Sequence, residues 1–282
     1  MSNSIKITAD STCDLTDDLC EKYDISIAPL YIIMDGKDHK DGLEISPDDI
    51  YKFVDRTGEI PKTAAVSIAD YIDIFSRYVE QGRTVVHVNI SSHFSTCNQN
   101  ANIAAKEVGN VYVVDSLNLS TGTGLLAVEG AELASQGIPA EEIKARLDEL
   151  APKVESSFVI ETLKYLHMGG RCSSVAALGA NLLKLRPCIE VVDGKMNVGK
   201  KYRGNYAKCL EQYITDRLIG RDDLANKRIF ITHSGCSEEI VDIARNTIKK
   251  HAEFNEILET IAGCTITSHC GPNTLGILFI NK

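Results

Sequence analysis

The residues able to do chemistry in this 282-residue chain are hydroxyls, imidazoles and one arginine, gathered in short polar stretches. Asp10-Ser11-Thr12, Ser91-Ser92, Ser95-Thr96, Ser116 and Ser120-Thr121 sit between apolar runs and helical periods. Hydroxyls and the free N–H groups of a helix start are donors that hold an anion without a metal or a basic cluster. The same residue types are also ordinary helix N-caps, which is how any one of these loops reads alone. The concentration of donors at Ser91 and Ser92 tips that loop toward function. His93 and His269 stand in loops beside Ser or Gly, whereas His87 and His233 fall inside or at the end of strands and read as packed. Ser268-His269-Cys270-Gly271-Pro272 reads as a turn whose Gly and Pro fix the backbone and aim the imidazole. Met168-Gly169-Gly170-Arg171 sets an arginine behind two glycines, which let the backbone approach a ligand closely. Arg171 reads equally well as a surface charge, and spacing alone does not decide.

These loops need a scaffold, and the pattern predicts one. Ile5 to Ala9, Thr84 to Ile90 and Val111 to Val114 are apolar runs, each followed by a polar loop and a helical period: Leu15 to Tyr23, Cys97 to Val108 and Leu119 to Ser135. Continuous apolar runs are strands buried on both faces, so this βα alternation predicts a mainly parallel, Rossmann-like sheet covered by helices. Leu30 to Asp41, with Asp35-Gly36 at its centre, reads as an inserted hairpin near residues 30–45. A break falls at Leu150 to Ser156, after a helix from Ala140 to Leu150. Beyond it the reading is a hairpin of Cys188 to Val192 and Met196 to Lys200 about Asp193-Gly194, a strand Arg228 to Thr232, a helix from Ser237 to about His251, and strands Cys264 to Thr267 and Leu275 to Ile280. The fold class is therefore α/β with two α/β domains, 1–154 with the parallel sheet and 155–282 with a mixed sheet. In a parallel sheet the binding crevice lies beyond the carboxyl ends of the strands, where the hydroxyl loops cluster.

Composition removes several functions. Thirty Lys and Arg against 39 Asp and Glu give a net charge of −9, the wrong sign for neutralising phosphates along a nucleic acid. Nine cysteines form no C-x-x-C pair and no regular spacing, so they read as reduced small hydrophobes rather than disulfides or zinc ligands. The longest near-apolar stretches, Ile277 to Ile280 and Ala176 to Leu183, are far short of the ~18 residues of a membrane span, and the N-terminus lacks a basic head and apolar run. A cytoplasmic protein is expected.

Two catalytic readings are weak. A serine hydrolase with Ser92 as nucleophile and His269 as base is the alternative function, yet no G-x-S-x-G elbow occurs. Gly122-Thr123-Gly124-Leu125-Leu126-Ala127 satisfies G-x-G-x-x-A, but Ser116 to Thr121 separates it from the preceding strand and no acid ends a strand about 20 residues on.

Taken together the loops resemble the DegV family of bacterial fatty-acid-binding proteins. The resemblance rests on Asp10-Ser11-Thr12, Pro61-Lys62-Thr63, Ile90-Ser91-Ser92 with Ser95 and Gln99, Val114-Asp115-Ser116, Gly169-Gly170-Arg171, His233-Ser234-Gly235 and Ser268-His269-Cys270-Gly271-Pro272. It implies a long-chain fatty acid between two domains, its carboxylate at the loops and its tail in an apolar tunnel, with no cofactor and no catalysis by the chain alone. It implies further that the acid is presented to a dihydroxyacetone-kinase-like fatty acid kinase that makes an acyl phosphate, with peripheral membrane contact for lipid exchange. The implied carboxylate contacts fall on Thr63 and Ser92, with His269 close by, Ser91 in the same loop and Arg171 near the entrance. The chain departs from the family pattern at Ala64, Ala65, Thr96, Cys97 and Asn273.

Overall fold

Where the sequence alternates apolar run and helix, the computed structural model, which describes residues 4–172 and 185–282, has a parallel sheet. The stretch Ala176 to Leu183 lies outside the described residues. The first part of the chain runs β1 (Ile5–Asp10), α1 (Asp17–Lys22), β2 (Ile25–Ala28), β3 (Tyr31–Met34), β4 (Lys37–Lys40), α2 (Pro47–Thr57), β5 (Lys62–Ala64), α3 (Ile68–Val79), β6 (Thr84–Asn89), α4 (Cys97–Val108), β7 (Val111–Asp115), α5 (Thr121–Ser135) and α6 (Ala140–Leu150). Its main sheet has the order β2-β1-β6-β7 with every neighbouring pair parallel.

The second part runs β8 (Val154–Val159), α7 (Lys164–Gly169), β9 (Leu185–Val192), β10 (Lys195–Arg203), α8 (Tyr206–Leu218), β11 (Leu224–Ser234), α9 (Glu238–His251), β12 (Glu256–Ile261), α10 (Cys264–Cys270) and β13 (Thr274–Asn281). Its sheet has the order β10-β9-β8-β13-β11-β12 and is mixed, since only β11 and β12 pair in parallel. The Asp193-Gly194 turn lies between antiparallel β9 and β10, and both residues adopt positive φ, as the tight turn requires.

Three elements depart from the expectation. Cys264 to Thr267 is the start of helix α10, not a strand; its β-branched residues mimic a strand, and acidic side chains far away in sequence hold its N-terminus. The break at Leu150 to Ser156 is shorter than expected, because a single 3-10 turn at Ala151–Lys153 leads straight into β8. The hairpin β3–β4 recruits β5 as a third antiparallel strand, with Thr63 opposite Ile32.

Helix α5 explains how the two sheets meet. Its segment Leu125 to Val128 is buried without a polar face, and its apolar cluster includes Ile7 and Val86 of the parallel sheet as well as Phe230 and Leu278 of the mixed one. A helix apolar all round must be covered all round. The G-x-G-x-x-A glycines serve this packing: a methyl at Gly122 would stand 2.3 Å from Asn118 Oδ1, and one at Gly124 would stand 2.7 Å from the Cys13 carbonyl oxygen. They open no phosphate loop. The seam is pinned by the almost fully buried Arg228, whose guanidinium donates to Glu129 (2.9 Å) and Glu132 (2.6 Å) of α5 and to Glu256 (3.0 Å). Four residues further along β11, Thr121 and Thr260 both hydrogen-bond the Thr232 hydroxyl, at 2.6 and 2.9 Å.

Candidate functional site

The loop after β6 is positioned from behind by buried Asp10. Its Oδ1 accepts the Tyr71 hydroxyl at 2.6 Å and its Oδ2 accepts the Ile90 N–H at 3.0 Å, so the last residue of β1 fixes where the next strand ends. Asp115, ending β7, accepts the N–H groups of Ser92 (3.2 Å) and Leu117 (3.0 Å). The loop is therefore held by strand-end carboxylates, and the chain turns into α4 with Ser95 Oγ accepting the Cys97 N–H at 3.2 Å.

Adjacent serines in this loop do different things. Ser91 is fully buried and donates to the Gly194 carbonyl at 2.8 Å while accepting the His93 N–H at 3.2 Å. It ties the loop to the β9–β10 turn and lies behind the cavity wall. Ser92 is exposed and its side chain lines a cavity of about 570 Å³. That volume falls in the range of small-molecule pockets. Thr63, His269 and Arg171 line the same cavity, and so do Ser95 of the loop and Asn98 and Gln99 of the first turn of α4. Leu30, Ile90, Leu119, Met196 and Ile266 supply the apolar part. Apart from Ile90, beside Ser91, sequence reading had no signal for these five: each is one apolar residue among many, and they come from five separate stretches of the chain.

His269 is on the last turn of α10 rather than in a turn of its own. Ile266, His269 and Cys270 face the cavity together because residues three and four apart share a helix face. The helix is anchored from the first part of the chain. Asp41 accepts the N–H groups of Cys264 (2.9 Å) and Thr265 (3.1 Å) and the Thr265 hydroxyl (2.6 Å), and Asp14 accepts the Gly263 N–H at 2.9 Å. Carboxyl groups at a helix start satisfy N–H groups that the helix itself cannot. Asp14 pays for its position: burial pushes its carboxyl up to about 8, and nearby Asp41 acts in the same direction against the bonds from Ser120 and Gly263.

The His269 ring reaches Thr63, with 3.0 Å between Nε2 and the Thr63 hydroxyl oxygen. Burial, helped by the Arg171 charge, pushes the imidazole down to about 4, so it is neutral at physiological pH. Arg171 is exposed at the rim and donates to the Gly169 carbonyl at 2.8 Å. Gly170 ends α7 with φ of +66°, the left-handed conformation that glycine adopts without cost. Thr63, Ser92, His269 and Arg171 thus converge on one cavity.

The described residues do not pair Ser92 with His269. Among the described residues the hydrogen-bond partner of His269 is Thr63, not Ser92, and no carboxylate orients the ring through Nδ1. A nucleophile–base–orienter relay requires both contacts. What the site offers is hydroxyl donors and a neutral imidazole in one cavity with apolar side chains, suited to an amphipathic anion. No described helix is long and apolar enough to cross a membrane.

A family model described as "Uncharacterised protein, DegV family" matches residues 4–282, and the chain belongs to the DegV family. It is 33% identical over 282 residues to a DegV domain-containing protein of Clostridium acetobutylicum, covering 99% of each chain. It is also 33% identical over 280 residues to a protein of Thermotoga maritima named fatty acid-binding protein, covering 96% of each. Among solved structures, a fatty-acid-binding DegV family protein of Thermus thermophilus superposes with a TM-score of 0.89 at 27% identity, covering 99% of both chains. A stearic acid-binding protein of Eubacterium ventriosum superposes with a TM-score of 0.86 at 28% identity, covering 99% of this chain and 98% of that one.

Proposed function

We propose that this protein binds one long-chain fatty acid, its carboxylate at Thr63 and Ser92 and its tail along Leu30, Ile90, Leu119 and Ile266. The observation that carries the reading is the Thr63–His269 pair lining a 570 Å³ cavity that Leu30, Ile90, Leu119 and Ile266 also line. The relatives named for fatty-acid binding support it. A buried carboxylate is costly unless its lone pairs are met by donors, and hydroxyls meet them without a second buried charge. Each buried methylene then contributes about 0.8 kcal/mol, so a tail of some sixteen carbons contributes on the order of 10 kcal/mol before ordering costs.

Such a ligand survives purification. Organic extraction and mass spectrometry of protein made in lipid-replete cells should find a long-chain fatty acid in about equimolar amount. Repeated empty preparations that also fail to take up oleate or palmitate would overturn the reading.

The finer reading assigns residues 1–154 and 155–282 as two domains with the ligand between them. The protein then serves in the cytoplasm as the binding subunit of a kinase system, presenting the acid to a dihydroxyacetone-kinase-like partner and exchanging it at the membrane surface. The exposure of Arg171 at the rim supports a role toward that partner. Arg171→Ala should weaken acyl phosphate formation with the cognate kinase more than it weakens lipid uptake. Equal loss of both would make Arg171 a carboxylate ligand instead.

A further inference from the structure

The tautomer of His269 decides what the site can bind, and its surroundings select one. Among the described residues Nδ1 is closed from solvent and has no hydrogen-bond partner. It is turned against Gly169, where an added methyl group would stand 2.3 Å away. The Gly169 carbonyl makes no bond to the ring and accepts the Arg171 guanidinium at 2.8 Å. A neutral imidazole carries one proton, on Nδ1 or on Nε2. A proton on Nδ1 would be a buried N–H with no acceptor among the described residues, beside a positive charge. A lone pair there, facing an aliphatic carbon, is the smaller loss. The Nε2–H then donates to the Thr63 oxygen across 3.0 Å. A hydroxyl oxygen that accepts in this direction keeps its own hydrogen free for another acceptor.

We propose that Gly169 and Arg171 fix His269 as the neutral tautomer protonated on Nε2, so that His269 donates to Thr63 and leaves the Thr63 hydroxyl hydrogen for the head group of the ligand. Gly169, Arg171 and His269 are positioning residues in this scheme, and Thr63 touches the ligand. The opposite tautomer would point the Thr63 hydrogen at the ring and offer the ligand only an oxygen lone pair, which repels a carboxylate. The inference rests on the fatty-acid reading for the identity of the ligand, but the proton's place is a property of the empty protein.

Long-range proton–nitrogen correlation spectra of the delipidated protein at neutral pH test it directly. The His269 signals, assigned by their loss in His269→Gln, should show a protonated Nε2 and a bare Nδ1. A protonated Nδ1, alone or in an imidazolium, overturns the proposal whether or not a fatty acid binds. A variant carries the test into function. Gly169→Ala puts a methyl against Nδ1 and should displace the ring, altering the His269 signals and weakening binding of oleate about fivefold. Unaltered signals and affinity in a folded Gly169→Ala protein would show that Gly169 does not set the ring, and would also overturn it. Should Gly169→Ala fail to fold, the wild-type spectra still decide.

Discussion

Thr63→Val and Ser92→Ala should each weaken fatty-acid binding about tenfold or more at neutral pH while leaving the fold intact. Each change removes a hydroxyl, and a hydrogen bond to a charged group contributes roughly 1.5 to 3 kcal/mol. About 1.4 kcal/mol is a factor of ten in Kd. Neither side chain is part of a closed core: Thr63 is half-buried in β5, and Ser92 is exposed. Thr63→Val costs one further bond, since His269 Nε2 loses its partner. Thr63→Val should therefore be the more damaging of the two.

The methyl ester of the same acid separates head-group chemistry from tail burial. It keeps the methylenes and removes the charge, so it should bind the wild type more weakly and respond less to either substitution. The measurement is titration of delipidated wild type, Thr63→Val and Ser92→Ala with acid and ester. An identical response of acid and ester would move the carboxylate away from these hydroxyls. Ser91 makes a useful contrast. Its hydroxyl bridges the loop to Gly194, so Ser91→Ala perturbs the wall rather than a ligand contact.

What could be read from the sequence follows how local each determinant is. Helices α4 and α6 fall on the residues expected, Cys97–Val108 and Ala140–Leu150, because each is a long periodic stretch with its own boundaries. The β9–β10 hairpin follows from Asp-Gly, whose positive φ angles are a property of two residues. Helix α10 was not legible. Cys264-Thr265-Ile266-Thr267 reads as a strand, and what makes it a helix is the pair Asp14 and Asp41, more than 200 positions earlier, taking up its N–H groups. The misreading of α10 carried His269 with it, since a residue expected in a loop proved to be on the helix face that lines the cavity.

The site was legible in residue types and less so in roles. Ser91 and Ser92 are indistinguishable by type, and only the position of the Asp193-Gly194 turn separates a buried strut from a cavity hydroxyl. The departures from the family pattern have local explanations in part. Asn273, where the resemblance implies a glycine, has φ of +53°, a conformation that Asn tolerates better than most residues. Its side chain also donates to Glu161 at 2.6 Å. Ala64 and Ala65 line the cavity, and Cys97 is buried at the first position of α4.

The other large effect concerns the anchor of α10 and is a matter of pH. Asp14 has its carboxyl raised from 3.8 to about 8, chiefly by burial. An acid whose folded pKa lies above its unfolded value keeps its proton in the fold while the unfolded chain loses it. Stability then falls as pH rises from about 4 toward 8 and levels off above. A shift of this size corresponds to a loss on the order of 5 to 6 kcal/mol across that window. Asp14→Asn copies the protonated form: its oxygen still accepts the Gly263 N–H, and its amide donates to the Ser120 hydroxyl, the groups that Asp14 meets at 2.9 and 2.5 Å. The variant lacks the titration, so its stability should match the wild type near pH 4 and exceed it increasingly up to pH 8.5. Other groups titrate in both proteins and cancel in the difference. Urea unfolding of delipidated wild type and Asp14→Asn at several pH values gives the comparison. A constant gap across pH 5 to 8.5 would mean that Asp14 is ionised where it holds Gly263, and that the helix start compensates its burial. An increasing gap would mean that the helix carrying His269 is fastened by a neutral acid, whose deprotonation in alkali loosens the wall of the cavity.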